Sequence, residues 1–221
     1  MKNMLSITAV TLLLISAFFN VVAQPAFQNE IQAFKKQDNV SPPPANAILF
    51  VGSSSFRKWT DVQAYFPGYT IINRGFGGSV LPDVVRYAND IIIPYRPKQV
   101  LIYCGDNDLA SSDSITPQMV AGRFSQLFTV IRNALPKAKV SFVSIKPSPS
   151  RERLMPKMKQ ANSLIKSFLA KQKNTSYINV FDPMLLPNGK PKPDLFLEDK
   201  LHMNEKGYAI WQKAIQPYLI K

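Results

Sequence analysis

The sequence is poor in the residues that build covalent cross-links and metal centres. Its 221 residues include one cysteine and one histidine. The single Cys104 cannot form an internal disulfide, so the fold must depend on an ordinary hydrophobic core, and its apolar neighbours predict a buried, unreactive thiol. A single histidine, His202, excludes metal sites with several imidazole ligands, and we expect no metal and no cofactor. Any chemistry that needs an imidazole base must use His202.

Acidic residues are also scarce. The chain has 14 Asp and Glu against 27 Lys and Arg, a formal net charge of +13. The basic residues are spread along the sequence without a block of five or six, and no nucleic-acid-binding motif accompanies them. We therefore interpret them as a basic, solvated surface and expect no nucleic-acid partner.

Only one long apolar run is present, Leu5 to Phe19, and it lies between Lys2 and the small-residue end of Val22-Ala23. This pattern is typical of a secretory signal peptide, which we predict over residues 1–23 with cleavage before Gln24. Ser and Thr residues interrupt the run, and it is short for a bilayer core of about 30 Å. We expect a secreted or periplasmic protein with no stable membrane anchor after cleavage.

The remaining sequence predicts one globular domain. Residues 24–46 are polar and end near a Ser-Pro-Pro-Pro segment, so we interpret them as a helical or irregular N-terminal lead-in. With 46% hydrophobic and 19% charged residues, the chain can bury a substantial core. We place the domain at residues 47–221, without repeats or a second domain.

Within that domain, short apolar runs alternate with helical patterns. Near-continuous apolar strands separated by helices are typical of a parallel sheet covered on both faces, which predicts an α/β fold: one three-layer α/β/α domain with a five-stranded parallel sheet. The predicted strands are Ala47 to Val51, Thr70 to Asn73, Gln99 to Tyr103, Lys139 to Ile145 and Tyr177 to Phe181. The predicted helices are Leu81 to Ile93, Thr116 to Leu135, Met155 to Lys173 and Asn204 to Ile220.

The segments that follow the first two strands carry groups suited to chemistry. Ligands of open parallel sheets bind at the carboxyl ends of the strands. Gly52-Ser53-Ser54-Ser55 follows the first strand, where a tight turn can present a hydroxyl or the serines can cap a helix. Asn73 to Ser79 follows the second and holds three glycines, whose N–H groups can hold an oxyanion or form an ordinary turn.

Two further segments supply an amide and an imidazole. Gly105-Asp106-Asn107-Asp108 follows the third strand, where Asn107 can offer its amide N–H and the acidic pair can cap a turn. Near the C-terminus, Asp199 precedes His202 by three residues, close enough to orient the ring of a general base.

In this order, the four segments resemble the conserved blocks of the SGNH/GDSL hydrolases, from about Ile48 to the C-terminus. The resemblance implies a flavodoxin-like sheet and a catalytic triad of Ser54, His202 and Asp199. It also implies an oxyanion hole made by the Ser54 and Gly78 N–H groups and the Asn107 amide. The register at Gly78 leaves the two preceding glycines, 77 and 75, as alternatives.

The first block departs from the family pattern. The family commonly has Gly-Asp-Ser, whereas this sequence has Gly52-Ser53-Ser54. The change affects the hydrogen bonding expected next to the nucleophile, and Ser53 and Ser55 are weaker candidates for that role than Ser54.

The resemblance implies a serine esterase. Together with the predicted signal peptide, and because nothing in the sequence suggests a large lipid lid, it leads us to expect a secreted enzyme that acts on short acyl esters, such as acetyl groups on carbohydrates. The layout is most similar to the lysophospholipase and platelet-activating-factor-acetylhydrolase-like branch. A lysophospholipase or thioesterase is therefore an alternative, and a non-catalytic extracellular glycan-binding module is another. We expect a small-molecule or glycan ester as the partner, while the sequence leaves the oligomeric state open.

Two features allow a structural or a functional interpretation. Lys146 to Arg153 follows the fourth strand and is expected to overhang the site, where Arg151 or Arg153 can meet an anionic substrate group or lie in a solvated, Pro-stiffened loop. Trp59 and Phe76 can line a substrate pocket or belong to the core.

Overall fold

The computed structural model describes residues 25–221. Within them, one parallel sheet has helices packed on both faces, which confirms the α/β prediction. The predicted signal peptide lies outside the described residues. The strands are β1 (Ile48–Gly52), β2 (Ile71–Gly75), β3 (Gln99–Tyr103), β4 (Lys139–Val143) and β5 (Thr175–Ile178).

The helices occupy the connections between strands and both ends of the described chain. They are α1 (Gln28–Val40), α2 (Ser54–Arg57), α3 (Val62–Tyr65), α4 (Leu81–Arg86), α5 (Ala88–Ile91), α6 (Asp106–Ser111), α7 (Pro117–Ala134), α8 (Met155–Leu169) and α9 (Glu205–Ile215). Short 3₁₀ turns complete several connections, including Pro149–Leu154 after β4 and Gln216–Tyr218 after α9.

The strand order is β2-β1-β3-β4-β5, and every pairing is parallel. Alternate side chains of each strand enter different cores. On β1, Leu49 and Val51 join the core that includes α4, α7 and α8, whereas Ile48 and Phe50 join the core that includes α9. Because β1 and β3 are buried throughout, the sequence shows them as continuous apolar runs.

Several predicted boundaries are wrong, and a contact or a special residue accounts for three of them. The helix predicted over 81–93 divides at Tyr87, whose hydroxyl donates to the Ala26 carbonyl at 2.7 Å. The last helix ends at Ile215, because Pro217 has no N–H with which to continue it. The fifth strand ends at Ile178, after which the Asn179 side chain accepts the Phe181 N–H and turns the chain out of the sheet.

The lead-in forms a helix that packs on the domain. Ile31 of α1 is buried in the same core as α7 and α8. The Phe27 ring meets the Phe76 ring edge-on at a centroid distance of 5.2 Å. Farther along α1, Asp38 pairs with Arg74 of β2. The lead-in therefore contributes to the fold directly beside the loop that follows β2.

Between residues 25 and 221, no helix combines the length and the apolar character needed to cross a bilayer.

Candidate active site

A turn that requires glycine carries the chain from β1 to Ser54. Gly52 has a φ of 133°, and a Cβ at this position would lie 1.9 Å from the Tyr103 carbonyl oxygen. A larger residue fits neither the backbone conformation nor the contact. The next N–H, of Ser53, donates to that same carbonyl at 2.9 Å, and Ser54 then begins α2. The turn therefore places Ser54 at the carboxyl edge of the sheet.

Exposure distinguishes Ser54 from the serines on either side. Ser53 and Ser55 are buried, whereas Ser54 is partly accessible. Ser53 occupies the N-cap position of α2 but makes no capping hydrogen bond, so it does not act as a helix cap. Its hydroxyl oxygen is buried without a partner among residues 25–221. Of the three hydroxyls, only that of Ser54 is open to a substrate.

The loop before α9 brings an imidazole and a carboxylate to Ser54. His202 Nε2 lies 2.9 Å from Ser54 Oγ, and His202 Nδ1 lies 2.5 Å from Asp199 Oδ2. The other carboxylate oxygen of Asp199 accepts the backbone N–H groups of Leu201 at 3.0 Å and His202 at 2.9 Å. Lys200, between them, has a left-handed φ of 54°. The loop thus folds back so that Asp199 holds both the backbone and the ring of His202.

The hydrogen bonds of this loop keep Asp199 ionised. Burial raises the pKa of the Asp199 carboxyl, but bonds from the His202 ring and from the two backbone N–H groups outweigh it and bring the pKa well below its usual range. An ionised carboxylate accepts the Nδ1 proton and leaves Nε2 free to accept another. The arrangement can therefore move the Ser54 hydroxyl proton to His202 while the hydroxyl oxygen attacks an electrophile.

The loop after β2 crosses the end of β1 beside Ser54. The Phe76 N–H donates to the Gly52 carbonyl at 2.9 Å, and Ser79 Oγ donates to it at 3.2 Å. Between these contacts, Gly78 has a φ of 78°, and a Cβ there would meet no atom within 4 Å. The left-handed backbone, not lack of space, therefore favours glycine at this position.

Asn107 joins this loop from the end of β3. It is the second residue of α6, and its Nδ2 donates to the Ser79 carbonyl at 3.0 Å. An amide nitrogen carries two hydrogens, so one N–H remains for another acceptor. The N–H of Ser54, at the first position of α2, also lacks an acceptor one turn earlier in its own helix. These groups supply donors of the kind that stabilise a developing oxyanion.

The sequence did not predict the contacts that charged residues make with Asn107 and with each other. Arg151 donates to Asn107 Oδ1 at 2.9 Å and lies 3.0 Å from Asp106 Oδ2. The Lys146 side chain is only 1% exposed and lies 3.9 Å from the same carboxylate oxygen. Burial lowers the pKa of Lys146 to about 8, with Arg151 adding to that effect and Asp106 and Asp199 opposing it. We call Asp106, Lys146 and Arg151 the buried charge cluster.

The segment after β4 matches neither of its two interpretations, a substrate-contacting segment or a solvated loop, over its whole length. Lys146 and Ser148 are buried, and the Arg151 side chain is 17% exposed, so this part is not a solvated loop. Arg153 is 68% exposed and pairs with exposed Asp113, which matches the solvated interpretation. The position after a strand indicated that the segment reaches the site, but no local pattern distinguished Arg151 from Arg153.

Other candidates from the sequence have structural surroundings. Cys104 is buried, and burial raises the pKa of its thiol well above the ordinary value. Trp59 and Phe76 are fully buried in the two cores rather than lining a pocket. Asp108 accepts the Leu81 N–H and pairs with Arg123. In the described part of the chain, no group of three or more His, Cys, Asp or Glu side chains has the arrangement of a metal site.

The comparison with protein families gives one match that covers most of the chain. The GDSL-like lipase/acylhydrolase family matches residues 46–210, a range that contains Ser54, Gly78, Asn107, Asp199 and His202. No curated protein matches the sequence significantly.

Solved structures with the same fold include proteins of this family. A Streptococcus pneumonia protein described as a platelet activating factor has 20% identity and a TM-score of 0.75, over 87% of this chain and 92% of its own. A GDSL-like lipase from Bacteroides thetaiotaomicron has 20% identity and a TM-score of 0.71, over 85% and 96%. A catalytic mutant of an acetylxylan esterase from Geobacillus stearothermophilus has 15% identity and a TM-score of 0.63, over 79% and 94%.

At these identities the solved structures establish a shared fold, while the family match covers the residues of the site as well. The chain therefore belongs to the GDSL-like lipase/acylhydrolase family, a family of carboxylic ester hydrolases.

Proposed function

We propose that this chain is an exported serine esterase that removes short acyl groups, such as acetyl groups on carbohydrates, through an acyl-enzyme on Ser54. The observation that carries the proposal is the continuous chain of contacts from Ser54 Oγ to His202 Nε2, at 2.9 Å, and from His202 Nδ1 to Asp199, at 2.5 Å. A nucleophile, its base and the group that orients the base are all within hydrogen-bond reach.

The first half of the reaction transfers the acyl group to the enzyme. Ser54 Oγ attacks the ester carbonyl carbon while His202 Nε2 takes the hydroxyl proton. When the tetrahedral intermediate collapses, the bond to the alcohol oxygen breaks and His202 returns the proton to that oxygen. The alcohol leaves, and Ser54 holds the acyl group as an ester.

The second half repeats these steps with water. His202 takes a proton from water as the water oxygen attacks the acyl-enzyme, and it returns a proton to Ser54 Oγ as the acid leaves. In both halves the carbonyl oxygen becomes negatively charged. We assign its stabilisation to the N–H groups of Ser54 and Gly78 and to the free amide N–H of Asn107.

Two observations support a short acyl group on a polar alcohol. Among residues 25–221, the segments that contact Ser54 or its turn include two short ones, Gly52 to Ser53 and Phe76 to Ser79, together with the His202 loop. A groove of about 600 Å³ beside the His202 loop is lined by polar and charged side chains, among them Lys58, Asp61 and Glu205, together with apolar and aromatic ones such as Leu197 and Tyr208. One protein with this fold is an acetylxylan esterase, which acts on an acetylated carbohydrate.

Export is part of the proposal and depends on residues 1–23. The apolar run Leu5 to Phe19 after Lys2 supports a cleaved leader, and the mature chain would keep a formal charge of +12 after loss of Lys2. Expression of the full chain, followed by N-terminal sequencing of the exported product, tests it. A product that starts at Gln24 is expected, and a full-length product that stays in the cytoplasm would refute export.

Active-site labelling tests the catalytic assignment. The purified protein is treated with a fluorophosphonate probe, and the labelled peptide is identified by mass spectrometry. We expect label on Ser54, and we expect Ser54→Ala to lose more than about 1,000-fold in kcat on 4-nitrophenyl acetate. Ser114→Ala removes an exposed serine and serves as the matched control. An unlabelled, inactive protein would favour the glycan-binding alternative, and unchanged activity in Ser54→Ala would refute the nucleophile.

A series of 4-nitrophenyl esters tests the acyl preference. We expect kcat/KM to be highest for acetyl and to fall as the acyl chain lengthens, because the short turns beside Ser54 bury Phe76 and expose only glycines, which offers little apolar surface for a long chain. Release of acetate from an acetylated xylooligosaccharide tests the alcohol side. A preference for long acyl chains or thioesters would instead support the lysophospholipase or thioesterase alternative.

A further inference from the structure

The buried charge cluster places more positive than negative charge behind Asn107. Asp106 is 4% exposed, and it is the shared partner of Lys146 and Arg151. Removing charges from water is costly unless they are paired and hydrogen-bonded. The mechanism proposed above uses none of these three side chains, although two of them, Asp106 and Arg151, contact Asn107 directly. Those two contacts with a proposed oxyanion donor therefore need an explanation.

Asn107 is held at three points. Its backbone N–H donates to Asp106 Oδ1 at 2.9 Å, and its Nδ2 donates to the Ser79 carbonyl at 3.0 Å. Its Oδ1 accepts a hydrogen bond from Arg151 Nη2 at 2.9 Å. These contacts engage the backbone N–H and both ends of the amide, and they leave one Nδ2–H uncommitted.

The contact with Arg151 determines which end of the amide faces the reaction. An Asn side chain has nearly the same shape after a half-turn that exchanges its oxygen and nitrogen. In the wrong orientation it would present a carbonyl oxygen to the oxyanion and repel it. A guanidinium only donates hydrogen bonds, so its partner in Asn107 must be the oxygen. Arg151 thus stabilises the orientation in which the nitrogen faces the oxyanion.

Arg151 is itself held in place. Its Nη1 lies 3.0 Å from Asp106 Oδ2, while Nη2 makes the bond to Asn107. The backbone next to it is also fixed, because the Ser150 N–H donates to the Lys200 carbonyl at 3.1 Å in the His202 loop. Nη2 is therefore hydrogen-bonded within the protein, while Nη1 is buried beside the Asp106 carboxylate as an ion pair without a well-aligned hydrogen bond.

We propose that Arg151 is a positioning residue for ester hydrolysis, which acts by holding the Asn107 amide with its free N–H towards the oxyanion. The inference rests on the proposed function, because it assumes that Asn107 stabilises the oxyanion. It differs from two other roles for this side chain. An arginine that binds an anionic substrate group would act through KM, and one that only stabilises the fold would act independently of Asn107.

A double-mutant cycle separates these roles. The variants are Arg151→Met, Asn107→Ala and the double variant, assayed on 4-nitrophenyl acetate, which offers no anionic group to an arginine. We expect Arg151→Met alone to lower kcat about tenfold, less than the full loss of a donor, because Ser79 still favours the correct orientation. We expect KM to change less than about twofold. In the Asn107→Ala background, Arg151→Met should change kcat less than about twofold.

Matched variants control for charge and folding. Arg153→Met removes an exposed arginine from the same segment and should leave kcat unchanged. Arg151→Lys keeps a positive charge beside Asp106 but loses the planar fork, so it should fold if Arg151→Met does not, and should lower kcat about threefold through Asn107. Thermal unfolding of each variant measures the folded fraction.

The outcome distinguishes this inference from the proposed function. Equal losses from Arg151→Met or Arg151→Lys with and without Asn107 would overturn the positioning role, while Ser54 labelling and the loss in Ser54→Ala would leave the esterase mechanism intact. A loss confined to KM would overturn it in favour of substrate binding. If Ser54→Ala keeps its activity, the proposed function itself fails.

Discussion

The two sides of the active site are built in different ways. On one side, Asp199 and His202 are three residues apart and are held by bonds within one turn, and the Asp199 side chain is 45% exposed. On the other side, Asn107 is fixed by Ser79 and Arg151, which are 28 and 44 positions away in the sequence, beside a buried charge cluster. The base is oriented by a local turn, whereas the oxyanion donor is oriented by tertiary contacts.

This difference predicts which substitutions in the active site will affect the stability of the fold. A local turn at the surface can form once its own few residues are in place, and solvent screens its charges. A buried ion pair depends on every partner, because loss of one leaves an uncompensated charge in the interior. Substitutions on the His202 side should therefore change catalysis with little effect on stability, while those in the buried charge cluster should change both.

The largest expected loss of activity follows a substitution on the exposed side of the active site. Asp199→Asn removes the carboxylate that orients the His202 ring, so we expect kcat to fall about 1,000- to 10,000-fold. The unfolding midpoint should stay close to that of the wild type, since the loop is exposed. Glu198→Gln, an adjacent exposed carboxylate, is the control. Steady-state kinetics with thermal unfolding checks both statements, and a loss below tenfold would show that Asp199 does not orient the base.

The second largest expected loss of activity follows a substitution on the buried side of the active site. Asn107→Ala removes one oxyanion donor, and we expect kcat to fall about 100- to 1,000-fold while KM stays nearly constant. Unlike Asp199→Asn, it should also lower the unfolding midpoint, because Arg151 and the Ser79 carbonyl lose a partner. Wild-type kcat in this variant would contradict its assignment as a donor.

The pH dependence of the free energy of unfolding tests whether the Lys146 side chain is excluded from solvent. The pKa of Lys146 is lowered to about 8 by burial, with further effects from Asp106, Arg151 and Asp199. Between about pH 8 and the ordinary lysine value, the unfolded chain binds more protons than the folded chain, so raising the pH favours folding. We expect the free energy of unfolding of the wild type, relative to Lys146→Met, to rise by about 3 kcal/mol across this range.

Urea unfolding at several pH values measures that difference. Lys171→Met removes an exposed lysine and provides the control. A relative stability of Lys146→Met that does not change with pH would show that the lysine is solvated, and the contrast between the two sides would then disappear.

The smallest effect is the pH dependence of catalysis itself. General-base catalysis requires an imidazole that can still accept the Ser54 proton, so kcat/KM should fall on the acidic side of its pH profile. The lowered pKa of Asp199 keeps that carboxylate ionised well into the acidic range, so Asp199 does not contribute to this fall. A kcat/KM that does not fall on acidification would contradict a base on the exposed side.

Much of the fold was accessible from the sequence, because it follows from local periodicity. Continuous apolar runs predicted β1 and β3 well, since both strands are buried on both faces. The divided helix at Tyr87 was missed because the contact that accompanies the division, with Ala26, crosses 61 positions of sequence. A helical period describes which face is buried, and it carries no information about such distant partners.

The sequence by itself determined the alternation of strands and helices, the polar segments at the strand ends, and the pairing of Asp199 with His202, since these depend on neighbouring residues. Only the tertiary structure decided that Ser54 is the accessible serine, that His202 reaches it across 148 positions, and that Arg151 rather than Arg153 contacts Asn107. Exposure and long-range contact arise when the strands are brought side by side, so no local pattern contains them.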